Sequence, residues 1–170
     1  MASSRQVYPD GAARLLIDAP PMHAIEPIMA VMIDAFDPAY GEAWNRQQVL
    51  GMLVSPLCHS IVALDHGDCP LGFALTRRVT DEEELLLIAT VTDGQRTGIA
   101  STMLRQVIDN AMEAGVSSIF LEMRSNNPAR LFYDKFGFTL IGKRRKYYTG
   151  IDGARYDALT LQKSFDIDYD

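Results

Sequence analysis

The sequence has 170 residues, 48% of them hydrophobic and 22% charged, with a formal net charge of -6 and a pI near 5.0. Size and composition predict one globular domain over 1–170 with a real core. The acidic balance argues against non-specific nucleic-acid or membrane binding and suits a cationic peptide partner. Cys58 and Cys69 make no disulfide framework, and nothing at the N-terminus resembles a signal peptide. No apolar run reaches the roughly 20 residues of a membrane helix, so the expectation is a cytoplasmic protein.

In chain order, residues 1–11 are polar and expected to be loosely ordered. A first strand is predicted at 14–18. Pro20 and Pro21 precede a helix ending near Phe36, with Ile25, Ile28, Met29, Met32 and Ile33 on its apolar side and Pro27 in its first turn. A turn-rich loop, 37–44, carries Tyr40 and the sole tryptophan, Trp44, and a short helix spans 45–54. Strands at 60–64 and 71–75 form a hairpin through His66, Gly67 and Asp68. The acidic run 81–84 reads as a solvated turn before the strand 84–91, a near-continuous apolar stretch suited to burial on both faces.

A helix follows from Ile99, with Met103, Val107 and Ala111 at helical spacing and Gly115 as its stop. Then come a strand at 118–123, a helix at 128–136 begun by Pro128 and stopped by Gly137, and strands at 138–145 and 155–161. The order β-α-α-β-β-β-α-β-α-β-β gives an α/β mixed sheet flanked by helices. The tail 164–170 is acidic and expected to be solvated.

The junction Gln95, Arg96, Thr97, Gly98, Ile99, Ala100, Ser101 is chemically suggestive. A helix N-terminus offers unpaired N–H groups and a partial positive charge, a natural cradle for phosphate. Gly98 permits close backbone approach, Ala100 adds little bulk, and Arg96 carries a permanent charge. It is not a P-loop, since no Gly-Lys-Ser/Thr follows, nor a three-glycine dinucleotide fingerprint. An ordinary strand–turn–helix with a solvent-facing arginine accounts for the segment alone equally well.

The pattern Q-x-x-G-x-A after a strand resembles the acyl-CoA motif of the GNAT superfamily of N-acetyltransferases. The segments IFLEMRSNN (119–127) and ARLFYDKFGF (129–138) resemble that family's second half. RRKYY (144–148) and DALTL (157–161) resemble its RimI-type branch, the ribosomal-protein-alanine N-acetyltransferases. The resemblance is dense over 84–163 and looser over 36–53. It implies the acyl-CoA N-acyltransferase fold, a mixed sheet of six to seven strands with about four helices. It also implies acetyl-CoA as co-substrate, no metal, and a ribosomal-protein N-terminus as acceptor.

Carried over position by position, the resemblance makes Glu122 the base and Tyr133 the acid. Ile88, Ala89 and Thr90 become the backbone edge for the pantetheine arm, and Arg96, Thr97, Gly98, Ile99, Ala100 and Ser101 the pyrophosphate loop. Asn126 becomes a further cofactor contact, with Asn127 as its alternative because the loop before Tyr133 is one residue short. On the residues alone, Glu122 ends an apolar strand that would partly desolvate it and raise its pKa, while pairing with Arg124 or a lysine is the plainer reading. Glu82, Glu83 and Glu84 offer a second base acting through water. Tyr133 is either a proton donor or a core tyrosine.

The chain departs from the pattern in Thr90 for the usual valine, Thr92 where proline is common, and Ala100 for the second glycine, which the family often tolerates. His23, His59 and His66 have no metal-ligand spacing with Cys58 or Cys69. The basic run 143–148 is expected in a hairpin beside the substrate cleft, with no direct nucleic-acid role. The rivals are acetylation of a lysine, polyamine or small amine, and a non-catalytic acyl-CoA-binding module.

Overall fold

The structure, a computed structural model, describes residues 13–95 and 97–165 in full and 5–7 as a strand backbone. The N-terminal segment otherwise, Arg96 and the acidic tail from 166 lie outside the described residues. The elements are β1 (Arg5–Val7), β2 (Arg14–Ile17), α1 (Pro21–Ala35), α2 (Arg46–Leu53), β3 (Cys58–Leu64), β4 (Pro70–Val79), β5 (Glu82–Thr90), α3 (Ile99–Glu113), β6 (Ser118–Arg124), α4 (Arg130–Lys135), β7 (Thr139–Thr149) and β8 (Arg155–Ser164). Short 3-10 turns occupy Pro38–Tyr40 and Thr92–Gly94.

All the strands form one sheet in the order β1-β2-β3-β4-β5-β6-β8-β7. Every anticipated strand is present, and β1 adds one more by pairing antiparallel with β2. Among the described residues the one parallel pair is β5 with β6, which requires a crossover, and α3 supplies it. Strand alternation feeds two cores. Ile61 and Ala63 join Met103, Leu104 and Val107 of α3 on one face. Val62 and Leu64 join Ile28 and Met32 of α1 on the other.

Local chemistry sets the start of α2. Asn45 and Gln48 form a reciprocal capping box at α2, with backbone-to-side-chain bonds of 2.8 and 2.9 Å. Pro27 lies inside α1, beyond its first turn. One helical hydrogen bond is lost there, and packing of Ile25, Ile28, Val31 and Met32 holds the helix together regardless.

The acidic run also differs from expectation. Glu82, Glu83 and Glu84 are inside β5, not in a turn. Glu83 is only 1% exposed, accepting from Thr76 Oγ1 at 2.5 Å and from Arg78 at 2.7 and 3.0 Å. Its carboxylate is tolerated because both oxygens have donors. Among the described residues, no helix is long and apolar enough to cross a membrane.

Candidate active site

The pairing of β5 with β6 covers only Glu82, Glu83 and Glu84 against Ser118, Ile119 and Phe120. Beyond Glu84 the two strands part, while β5 stays paired with β4 as far as Thr90 and β6 stays paired with β8 as far as Arg124. A cleft of about 390 Å³ opens in the gap, lined among others by Leu86, Ile88, Leu121, Glu122, Tyr133 and Tyr148. The backbone edge of Ile88, Ala89 and Thr90 that faces away from β4 therefore has no strand partner, and backbone N–H and C=O groups seek one. An extended amide-bearing chain fits that demand.

At the end of β5, the turn Thr92–Gly94 leads into α3. Gly98 begins that helix with φ +89°, in the left-handed region, and a Cβ there would meet nothing within 4 Å. No side chain caps α3, so its first N–H groups, around Ile99, Ala100 and Ser101, are left for a ligand. The Thr97 hydroxyl donates to the Gly94 carbonyl at 2.6 Å and closes the loop. Fifteen residues of α3 back the positive end of its dipole. This cradle and the free β5 edge together fit a pyrophosphate with an amide-bearing arm.

The departure at Thr92 has a local reason. Its N–H donates to the Asp34 carboxylate at 2.5 Å, tying the turn to the end of α1. A proline could not donate.

Glu122 projects from β6 into the cleft with its side chain 27% exposed. It does not pair with Arg124. Its Oε2 accepts from Arg144 of β7, and Tyr148 donates to its Oε1 at a long 3.4 Å. The desolvation expected from an apolar strand end is thus only partial, and the ion pair comes from the neighbouring hairpin. The basic run does flank the cleft, as expected. Between the register pairs Arg144 with Ala158 and Tyr148 with Tyr156, three residues bulge opposite Asp157. Lys146 sits there at φ +52° and donates its N–H to Asp157 at 2.8 Å.

Tyr133 lies on α4, 7% exposed, with edge contacts to Phe132 and Phe138 and one side on the cleft. Among the described residues, no group is placed to hydrogen-bond its hydroxyl. Burial pushes its phenol well up, so it holds its proton at neutral pH. Tyr148 is pushed up to about 12, first by burial and then by the negative charges of Glu122 and Glu42.

The far wall is fixed by a residue that sequence reasoning left aside. Arg124 is 7% exposed and reaches Glu42 at 2.5 and 3.3 Å and Asn126 Oδ1 at 2.6 Å. Its guanidinium lies 3.5 Å from the centre of the Tyr40 ring. The loop carrying Tyr40, Glu42 and Trp44 is thereby held against the end of β6, where it lines the cleft. Asn127 borders the cleft, and its side chain accepts from the Ala129 N–H at 2.9 Å before α4. Asn126 is exposed and occupied by Arg124.

The structure thus brings Glu122, Tyr133 and Ile88 to one cleft and sets 97–101 at the helix start beyond the end of β5. Arg96 lies outside the described residues. Glu83, sealed between β4 and Arg78, is no base for this cleft. Arg144 and Tyr148 belong to the site, although the sequence placed their run beside the cleft without giving either residue a role. Among the described residues, no three His, Cys, Asp or Glu side chains are grouped to hold a metal ion.

Residues 27–138 match the model of the acetyltransferase (GNAT) family. The chain is 39% identical over 91 residues to the [ribosomal protein bS18]-alanine N-acetyltransferase of Escherichia coli, covering 53% of this chain and 61% of that protein. It thus spans about three-fifths of the length of the first curated relatives it matches. It is 35% identical over 132 residues to the N-alpha-acetyltransferase RimI of Mycobacterium tuberculosis, covering 75% of this chain and 76% of the relative. The crystal structure of the ribosomal-protein-S18-alanine N-acetyltransferase from E. coli superposes with a TM-score of 0.78 at 26% identity, over 91% of this chain and 97% of that one.

Proposed function

Because the chain belongs to the acetyltransferase (GNAT) family, we propose that it transfers the acetyl group of acetyl-CoA to a protein N-terminal α-amine. The favoured acceptor is the N-terminal alanine of a small-subunit ribosomal protein, as the names of the Haemophilus influenzae and Escherichia coli relatives suggest. One observation carries the reading. Glu122 and Tyr133, from different elements, face the same cleft where β5 and β6 part.

In this account the free edge of Ile88, Ala89 and Thr90 aligns the pantetheine arm and polarises the thioester carbonyl. The N–H groups from Gly98 to Ser101, with Arg96, take the pyrophosphate. Asn127, at the cleft, or Asn126, beside it, adds a contact to the co-substrate. Both substrates are held before reaction, which lowers the entropic barrier to their meeting.

The acceptor's α-amine, with a pKa of about 7.7–8.0, needs little help to be neutral at physiological pH. Its nitrogen attacks the thioester carbon and forms the C–N bond. The Glu122 carboxylate takes the proton that the nitrogen must lose. The C–S bond then breaks, and Tyr133 gives its phenolic proton to the leaving thiolate. Solvent returns the proton from Glu122 and restores the Tyr133 phenol. No covalent enzyme intermediate is needed.

We take the chain to act as one domain in the cytoplasm. The test is mass spectrometry of a peptide that starts with alanine and carries an internal lysine. Acetylation at the α-amine alone supports the reading. Acetylation at lysine alone overturns the acceptor class.

A further inference from the structure

Glu122 is held asymmetrically. Arg144 engages Oε2 and does not line the cleft, and its guanidinium stacks 3.8 Å from the centre of the Tyr147 ring. Tyr148 does line the cleft and meets Oε1 only at 3.4 Å. One carboxylate oxygen is therefore clamped from outside the cleft by a charged donor. The other is only loosely held, on the side from which an amine would come.

The remaining charged neighbours are already committed. Glu42 is taken by Arg124, and Lys143 by Asp157 at 2.8 Å. Neither guanidinium nor ammonium other than that of Arg144 reaches Glu122 among the described residues. The carboxylate's one charge-assisted contact among the described residues is therefore that of Arg144, beside the long neutral bond from Tyr148.

We propose that Arg144 is a positioning residue for the reaction: it fixes Glu122 through Oε2 so that Oε1 faces the acceptor amine, and Tyr147 holds the guanidinium in place. This rests on the acetyltransferase reading and on Glu122 as its base. A charge-assisted hydrogen bond from a planar guanidinium is stronger and more directional than a neutral one. A side chain free to turn about its last torsion would otherwise present its oxygen to the amine only part of the time. The bulge at 145–147 is the structural device that lets Arg144 and Tyr148 both reach Glu122 from one strand.

The test uses Arg144→Ala, Arg144→Lys, Tyr147→Leu and, as a control on the same strand, Arg145→Ala, assayed with acetyl-CoA and the alanine peptide. In Arg144→Ala, kcat falls by roughly ten- to a hundredfold, the scale of a misplaced catalytic group, while KM for acetyl-CoA is unchanged. Because Arg144 is 53% exposed, added guanidinium chloride at sub-denaturing concentration restores part of kcat in Arg144→Ala and none in Arg145→Ala. Arg144→Lys keeps more activity than Arg144→Ala, and Tyr147→Leu shows a smaller fall of the same kind.

Equal rates in Arg144→Ala, Arg145→Ala and the unsubstituted protein overturn the proposal and leave the acetyltransferase reading standing. A loss in Arg144→Ala that guanidinium does not restore, accompanied by a lowered melting temperature, makes the role merely structural and also overturns it. No turnover by the unsubstituted protein on any amine overturns the reading and takes this proposal with it.

Discussion

Arg124 clamps Glu42 across 82 positions of sequence, with Nε to Oε1 at 2.5 Å, while its guanidinium lies on the Tyr40 ring. Part of the cleft's wall is a loop that this side chain clamps against the end of β6. Replacing it by methionine keeps the apolar stem and removes the charge-assisted bonds, each of which contributes about 1.5–3 kcal/mol. Arg124→Met should lower the denaturation midpoint and raise KM for the peptide several-fold. KM for acetyl-CoA should barely change, because its cradle is at α3. Steady-state kinetics with each substrate varied in turn checks this.

Gly72 sits where β4, β5 and α3 meet. A Cβ there would lie 2.8 Å from the Ala89 carbonyl oxygen and 2.8 Å from Met103 Cε. The methionine end can move, but the carbonyl is backbone. Gly72→Ala should cost about 1–3 kcal/mol of stability, as overpacking does. It should also raise KM for acetyl-CoA, since Ala89 belongs to the proposed pantetheine edge. Urea unfolding and a KM measurement test both parts.

The Asp34 contact to the Thr92 N–H makes a smaller prediction. Both residues are exposed, so losing the bond should cost about 1 kcal/mol or less. Asp34→Ala should raise KM for acetyl-CoA modestly and leave KM for the peptide unchanged. An equal rise in both would show that the turn does not act on the cradle alone.

Tyr148 gives a pH dependence with a definite sign. Its phenol is held near 12 in the folded protein, against about 10 in the unfolded chain. A raised value means that the folded state keeps the proton longer. The contribution is fully present below about pH 10 and is lost as pH rises through about 12. Thermal unfolding should therefore show a falling midpoint across that window, less steep in Tyr148→Phe. Phenolate absorbance should identify one tyrosine in excess of the variant titrating there.

The apolar periodicities of α1 and α3 and the strand–turn–helix at 84–115 were legible because each depends on residues near in sequence. The ordered resemblance singled out Glu122 and Tyr133, and both line one cleft. What escaped was long-range. Pro27 stays within α1 because tertiary packing outweighs one lost hydrogen bond. Glu83 is buried because Thr76 and Arg78 on the next strand supply its donors, which no reading of four acidic residues could reveal. Arg144 and Tyr148 reach Glu122 only through the register of β7 and the bulge at Lys146, and that register is set by β8.

In the proposed reaction Glu122 and Tyr133 together serve acetyl transfer to a peptide α-amine. Its most direct test is release of free CoA thiol from acetyl-CoA in the presence of an alanine-initiated peptide, beside the same peptide with a blocked α-amine. Release is expected with the free peptide only. Glu122→Gln should lower the rate roughly a hundred- to ten-thousand-fold, the usual contribution of a general base, and Tyr133→Phe should also slow it. Equal release with the blocked peptide, or an undiminished rate in Glu122→Gln, would contradict the proposed reaction.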